Sequence, residues 1–471
     1  MFGFLTIQAV ALMLVVAAQQ EHKVMIEIKG KHCKDIKIFT DNIEDSALAL
    51  IYELSNSSMF KGAKIRIMPD VHLGVGIVIG FTCPIPKEDA HVNPNFVGVD
   101  IGCGIESIFF DKPLEEKKFA QFDRKIKKEV PTGFNIHKLR QFEMKEFIKF
   151  VNSEVQKAYQ TSGGAINFME FTTEDDFEKW CKGFGMDFGT FIKSIGTLGG
   201  GNHFMEYDTN DELKKWAFTV HTGSRNLGKM VCQKWVHAAK GPSVDKEAME
   251  KEIADFKANY TGDVLDIADH LKKIREKYRT PDSDGYLEKD LLKGYLTDMV
   301  IAQAYAKYNR MIILRKAGEV MNKINGARVI DQVSSIHNYL DFGDMTIRKG
   351  SIRAYAGERM IIPFNMKDGV AICEGKSNED WNCSAPHGAG RLMSRAVAKK
   401  KINFNDFQKQ MSDAGIYSTS VCQNTLDEAP DAYKPMEEIV ELIKDTCDIQ
   451  FFMKPRINIK ATDGEVKYGK K

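Results

Sequence analysis

Residues 95–110 read NFVGVDIGCGIESIFF, and the fold class turns on this stretch. Apolar and β-branched residues run up to a Gly-Cys-Gly turn and resume beyond it, the pattern of a sheet strand entered through a tight loop. The text before it reads the same way: AKIRIMPD (63–70), VGIVIGFTCPI (75–85) and, from Met25, MIEIKG, where Met25, Glu27 and Lys29 alternate with isoleucines. Downstream the pattern turns helical. LEEKKFAQFDRKIKKEV (114–130) is charged and periodic, and a strand-and-loop block follows from Ile192 to Gly228. Residues 240–280, dense in Lys, Asp and Glu, predict two amphipathic, partly exposed helices. Leu291–Ile324 predicts one long helix with Tyr295, Met299, Ala302, Tyr305 and Ala306 on its inward stripe. Helices and strands interleave without regular βαβ alternation, so the expectation is α+β: one large mixed-sheet catalytic domain over 25–471, with a helical excursion at about 238–285.

With 471 residues, 43% of them hydrophobic and 28% charged, the chain can bury a sizeable core and is neither disordered nor fibrous. Lys and Arg number 66 against 65 Asp and Glu, a net charge of +1, which excludes a globally basic nucleic-acid coat. Nine cysteines without a CxxC pair argue against a disulfide framework or a zinc knuckle, and fit a reducing, cytoplasmic setting. The apolar run AVALMLVVAA (9–18) looks like a signal core, but no Lys or Arg precedes it and it is short for a membrane span. Residues 1–24 therefore read as an atypical extension or an over-called start, with no stable membrane association. A monomer is the default expectation.

Six short segments concentrate glycine and polar residues: PDVHLGVG (69–76), VDIGCGI (99–105), GTLGGGNHFME (196–206), VHTGSRNLG (220–228), IHNY (336–339) and SAPHGAGR (384–391). Singly, each has a plain reading, such as a buried cysteine beside a turn aspartate or a satisfied core histidine. As a set, Asp100, Cys103, His203, His221 and His337 offer mixed S, N and O ligands, enough for two ions sharing a bridging ligand. Such ligands suit manganese, zinc or cobalt better than magnesium. His387, between Pro and Gly in a separate loop, reads as an aimed nucleophile towards phosphate, just before a helix expected to open near Arg391. By itself the Asp/Cys/His set also supports a binuclear metal phosphodiesterase, for which a second histidine loop such as that of His387 has no use.

In this order, PDVHLGVG, GVDIGCG, GGGNHFME, HTGSRNLG, HNY and HGAGR resemble the RtcB family of RNA ligases, from Met25 to Lys460. The resemblance implies joining of a 2′,3′-cyclic phosphate or 3′-phosphate RNA end to a 5′-hydroxyl end, with GTP and two Mn²⁺ ions, in tRNA splicing or RNA repair. It implies that Cys103 bridges the ions, that Asp100 and His203 complete one and that His221 and His337 complete the other. His387 would attack the α-phosphate of GTP to give a histidine–GMP intermediate. Contacts to the guanylate are implied for Asn202, Glu206, Asn338, Tyr433 and Lys460, for Gly388, Ala389 and Gly390 beside the nucleophile, and for Pro363, Asn365 and Met366. The last three lie in PFNMKDG (363–369), where many members have PGSMG; Phe364 replaces a glycine, and Asn365 could stand in for the serine. Arg225, Arg353, Arg391 and Arg395 are candidate contacts to RNA phosphates, with Lys399, Lys400 and Lys401 at the end of the helix after His387.

Overall fold

Strand and helix positions follow the apolar pattern closely. In the computed structural model, which describes residues 25–240, 246–259, 270, 271, 274 and 285–462, Gly104–Phe110 is a strand buried at every position. Its two polar residues, Glu106 and Ser107, are buried with the rest, because a strand covered on both faces has no solvent side for polar and apolar residues to alternate across. It lies second in a seven-stranded antiparallel sheet ordered Val329–Ile336, Gly104–Phe110, Lys215–Thr222, Phe204–Asn210, Cys447–Ile459, Val370–Gly375 and Arg359–Pro363. A six-stranded sheet runs Ile26–Ile28, Asp35–Ile38, Lys64–His72, Ile79–Pro84, Thr346–Lys349 and Tyr339–Asp341. Its one parallel pair, Asp35–Ile38 with Lys64–Ile67, is connected through the helix Asp45–Ser55. The architecture is the α+β class expected.

The long helix spans Lys289–Asn325 and is 37 residues long. Gly326, in the left-handed region at φ 70°, ends it by donating to the Asn322 carbonyl at 2.8 Å. Tyr295, Met299, Ala302, Tyr305 and Ala306 are all buried, as the stripe predicts, but burial extends well around the helix. The reason is that it threads two cores. Residues up to Ile312 pack with Ile36, Ile65 and Phe81 of the six-stranded sheet, whereas Ile313–Met321 pack with Ile108, Tyr207 and Ile457 of the seven-stranded one.

Two boundaries differ from expectation. The helix expected near Arg391 begins at Arg395, where Ser394 caps it by accepting from the Val397 amide. Gly390 and Arg391 are instead tied to Tyr433 and Lys434 by backbone contacts, so helix-start amides do not flank His387. The strand-and-loop block also ends early, because Arg225 already opens the helix Arg225–Ala239. Of the charged excursion, Lys246–Asn259 is helical as expected, while most of 260–284 lies outside the described residues, as do 1–24. No helix among the described residues is long and apolar enough to cross a membrane.

Candidate active site

Sheet register gathers the first group of residues. Ile105 pairs with His221, His221 with Phe204, and Gly104 with Ile336. Cys103, His221, His203 and His337 therefore sit at the same end of four adjacent strands. Cys103 Sγ lies 3.3 Å from His221 Nε2 and 3.5 Å from His203 Nε2. His203 Nε2 is 3.0 Å from Asp100 Oδ2, and His221 Nε2 is 3.4 Å from His337 Nε2. His203 donates Nδ1–H to the Leu198 carbonyl and turns Nε2 towards Asp100 and Cys103. Burial, reinforced by neighbouring histidines, drives His221 and His337 well below the usual histidine range, so both are neutral donors. Burial also pushes the Cys103 thiol up, with Asp100 adding to it. Burial pushes Asp100 up as well, but His203, Cys103 and the Ser224 amide outweigh that and hold its carboxyl at about 2. Neutral imidazole lone pairs, a carboxylate and a sulfur converging in a buried space fit a divalent ion, which would also convert the thiol to thiolate.

The long helix supports this centre from behind. Arg310, fully buried, donates from Nη1 to the carbonyls of Gly102 at 2.9 Å and Thr222 at 3.0 Å, one beside Cys103 and the other beside His221. Asn309 accepts from the Gly196 and Thr197 amides and donates to the Thr197 and Gly223 carbonyls. Two neighbouring side chains thus strap three ligand-bearing loops to one helix. Neither stood out in sequence, where polar residues inside a long helix read as solvent-facing.

His387 stands apart from the ligands, and its aim is set by a residue 317 positions away. Its Nδ1 lies 2.6 Å from Asp70 Oδ2, which also accepts the His387 amide at 3.1 Å. Asp70 is fully buried and its Oδ1 has no partner. An ionised carboxylate only accepts, so Nδ1 carries the proton and Nε2 is left as the nucleophilic nitrogen. The ring meets His337 edge-on, with centroids 4.6 Å apart, which places His387 against the histidine cluster.

Both groups open into one cleft of about 750 Å³, large enough for a nucleotide. Asp100, Cys103, His221, His337, Asn202, Glu206, Asn338, Pro363, Asn365, Met366, His387, Gly388, Ala389, Gly390, Arg391, Arg395, Tyr433 and Lys460 all line it. Its far side is organised by Glu428, a residue the sequence reading did not single out. The buried Glu428 carboxylate accepts from Tyr433 Oη and from Lys460 Nζ, each at 2.7 Å, and from Arg391 and Arg395. Burial works against the charge, yet these cations hold the carboxyl at about 2. Glu206 behaves oppositely: burial pushes it up to about 7, against the pull of Asn458 and Lys460, with Asp208 beside it on the same strand face pushed well above its usual range by burial and the Glu206 charge.

Several residues are placed differently from their expected use. The Asn365 carboxamide is taken up within its own turn, accepting from the Lys367 and Asp368 amides and donating to Asp368, while Phe364 is buried against Phe452. Asn338, in the left-handed region at φ 62°, uses its side chain to join the Asp100 carbonyl to the Gly350 amide. Arg225 lies behind His203, donating to Thr197 Oγ1 and the Gly133 carbonyl. Arg353 lines a separate cavity and is paired with Glu358 and Asp341. Arg391 and Arg395 do face the cleft, although both are engaged by Glu428.

Comparison with known proteins agrees with this geometry. The family described as tRNA-splicing ligase RtcB matches residues 53–461. The RNA-splicing ligase RtcB of Escherichia coli (strain K12) is 26% identical over 467 residues, covering 90% of this chain and 97% of the relative. The tRNA-splicing ligases RtcB of Nanoarchaeum equitans and Archaeoglobus fulgidus are 26% and 24% identical, covering 80% and 83% of this chain and 83% and 86% of the relatives. Since the matched span contains all six segments from which the cleft is built, the chain belongs to the RtcB family.

Proposed function

We propose that this chain is a GTP- and manganese-dependent RNA ligase, joining 2′,3′-cyclic phosphate or 3′-phosphate ends to 5′-hydroxyl ends in tRNA splicing or RNA repair. The observation that carries this reading is the 2.6 Å contact between His387 Nδ1 and Asp70, in a cleft that also reaches Cys103 and His221 of a candidate metal-binding cluster with His203. A metal hydrolase would not need an imidazole aimed this way. The names of the relatives, which speak of RNA and tRNA splicing, support the substrate class.

Asp70 holds the Nδ1 proton of His387, so Nε2 can form a bond to the α-phosphorus of GTP as the bond to pyrophosphate breaks. Divalent ions held by Asp100, Cys103, His203, His221 and His337 would neutralise the charge on the phosphate oxygens. Glu428 keeps Lys460 and Tyr433 in place on the guanine side. A 3′-phosphate oxygen of the RNA then attacks the histidine-bound phosphorus, giving an RNA-(3′)pp(5′)G end and freeing His387. Finally the 5′-hydroxyl displaces GMP and closes the strand. A centre that needs a reduced Cys103 suits a reducing compartment such as the cytoplasm.

The test is incubation with α-labelled GTP and Mn²⁺, followed by denaturation. Acid-labile label is expected on the wild-type polypeptide and none on His387→Ala. Absence of label from wild-type protein that nevertheless opens a 2′,3′-cyclic phosphate would replace the ligase with a phosphodiesterase.

A further inference from the structure

One imidazole at the cleft has no part in these steps. His72 ends the strand Lys64–His72 and lines the same cleft as His387, where the strand gives way to the loop carrying the exposed Leu73 and Val75. Its Nδ1 lies 3.1 Å from the Asp70 carbonyl oxygen. A carbonyl only accepts, so Nδ1 is the donor and the lone pair stands on Nε2. Asp70 therefore fixes two rings at once: its side chain sets His387 and its backbone sets His72, each with Nε2 as the unprotonated nitrogen. Burial, aided by the charges of His387 and Arg391 and opposed by Asp70, lowers His72 to about 4, which leaves it neutral near pH 7.

The chemistry of the proposed ligation asks for one such group. The attacking Nε2 of His387 carries no proton, and a 3′-phosphate attacks as an anion, so neither needs a base. A divalent ion held by the residues around Cys103 would supply the acidity needed by any water that opens a cyclic phosphate. The RNA 5′-hydroxyl is the remaining nucleophile that arrives protonated, and it must come from the solvent side of the cleft. We propose that His72 is the general base of the sealing step, an inference that rests on the ligase reading above. The 5′-oxygen forms a bond to the phosphorus of the RNA 3′-phosphate, its proton passes to His72 Nε2, and the phosphoanhydride bond breaks to release GMP with the electron pair. The imidazolium returns its proton to water. The charged and titratable groups that face His72 are Asp70, His387 and Arg391, and an incoming RNA phosphate would favour the imidazolium further.

The experiment separates the steps with the full chain. Transfer of label from GTP to protein is measured beside sealing of a preformed RNA-(3′)pp(5′)G strand to a 5′-hydroxyl strand. Wild-type protein, His72→Asn, whose amide can still donate to the Asp70 carbonyl, and His72→Gly are compared. Sealing is expected to fall about 10²–10⁴-fold in both variants while guanylylation falls far less, and added imidazole is expected to restore sealing by His72→Gly. Unchanged sealing in His72→Asn, equal loss of both steps, or failure of imidazole to restore His72→Gly would overturn the role of His72. Failure of wild-type protein to take label from GTP is a different result, and overturns the ligase reading itself.

Discussion

Asp70 uses its two carboxylate oxygens unequally: Oδ2 takes both the ring and the amide of His387, while the buried Oδ1 takes nothing. An amide in its place could present its NH₂ to the ring and favour the other tautomer. Asp70→Asn is therefore expected to lower guanylylation by about 10²–10⁴-fold with little change in fold, measured by single-turnover labelling. Glu206 gives a different signature. Its carboxyl is raised from 4.5 to about 7 in the folded chain, so its contribution to stability is present in full below pH 4.5 and is lost as pH rises through 7. Thermal unfolding should show a fall in stability between these values, and Glu206→Gln should flatten it. At this scale the sequence was a good guide to residue types. The motifs around Cys103, His203, His221 and His387 picked out side chains that meet in the fold, but Asp70 did not stand out, because nothing in PDVHLGVG says that its side chain will meet residue 387. Glu428 was missed for the same reason: its partners Arg391, Arg395, Tyr433 and Lys460 meet it only in the fold.

Among the elements, the long helix does more than fill the core. It was legible from its apolar stripe, whereas the strap made by Asn309 and Arg310 was not, since their partners, mostly backbone carbonyls and amides together with Glu106 and Thr222, lie far away in sequence. Removing the Arg310 guanidinium frees the carbonyls beside Cys103 and His221. Arg310→Met is expected to weaken Mn²⁺ binding about 10–100-fold, read by calorimetric titration of the protein alone. A tighter constraint sits where the strand Lys215–Thr222 turns into the helix Arg225–Ala239. A Cβ on Gly223 would lie 2.2 Å from Asp100 Oδ1, so Gly223→Ala must displace that carboxylate. Bound metal measured after dialysis should drop in this variant, while the unaltered strands keep the circular dichroism spectrum close to wild type. The helix start at Arg225 escaped the sequence reading because it falls inside the glycine-bearing segment 220–228, which reads as loop, whereas the start near Arg391 was placed too early because Ser394, the cap, lies within text of helical pattern.

For the molecule as a whole, the α+β class followed from interleaved strand and helix text, but strand order did not, because register depends on pairings across hundreds of residues. Cys447–Ile459 shows this best. It lies inside the seven-stranded sheet, between Phe204–Asn210 and Val370–Gly375, and Lys460 follows it directly into the cleft. A chain cut after Thr446 leaves both neighbours with unpaired ladder edges and is expected to be insoluble or protease-sensitive, as limited proteolysis would report. The same placement has a consequence for biosynthesis. On a ribosome, residues 447–460 are still inside the exit tunnel when the rest of the sheet has emerged, so the nascent chain carries Cys103, His203, His221 and His387 before it has the part of the cleft that Asn458 and Lys460 line. Completion of the cleft then waits for synthesis past residue 460, and a polypeptide interrupted earlier holds an unfinished one.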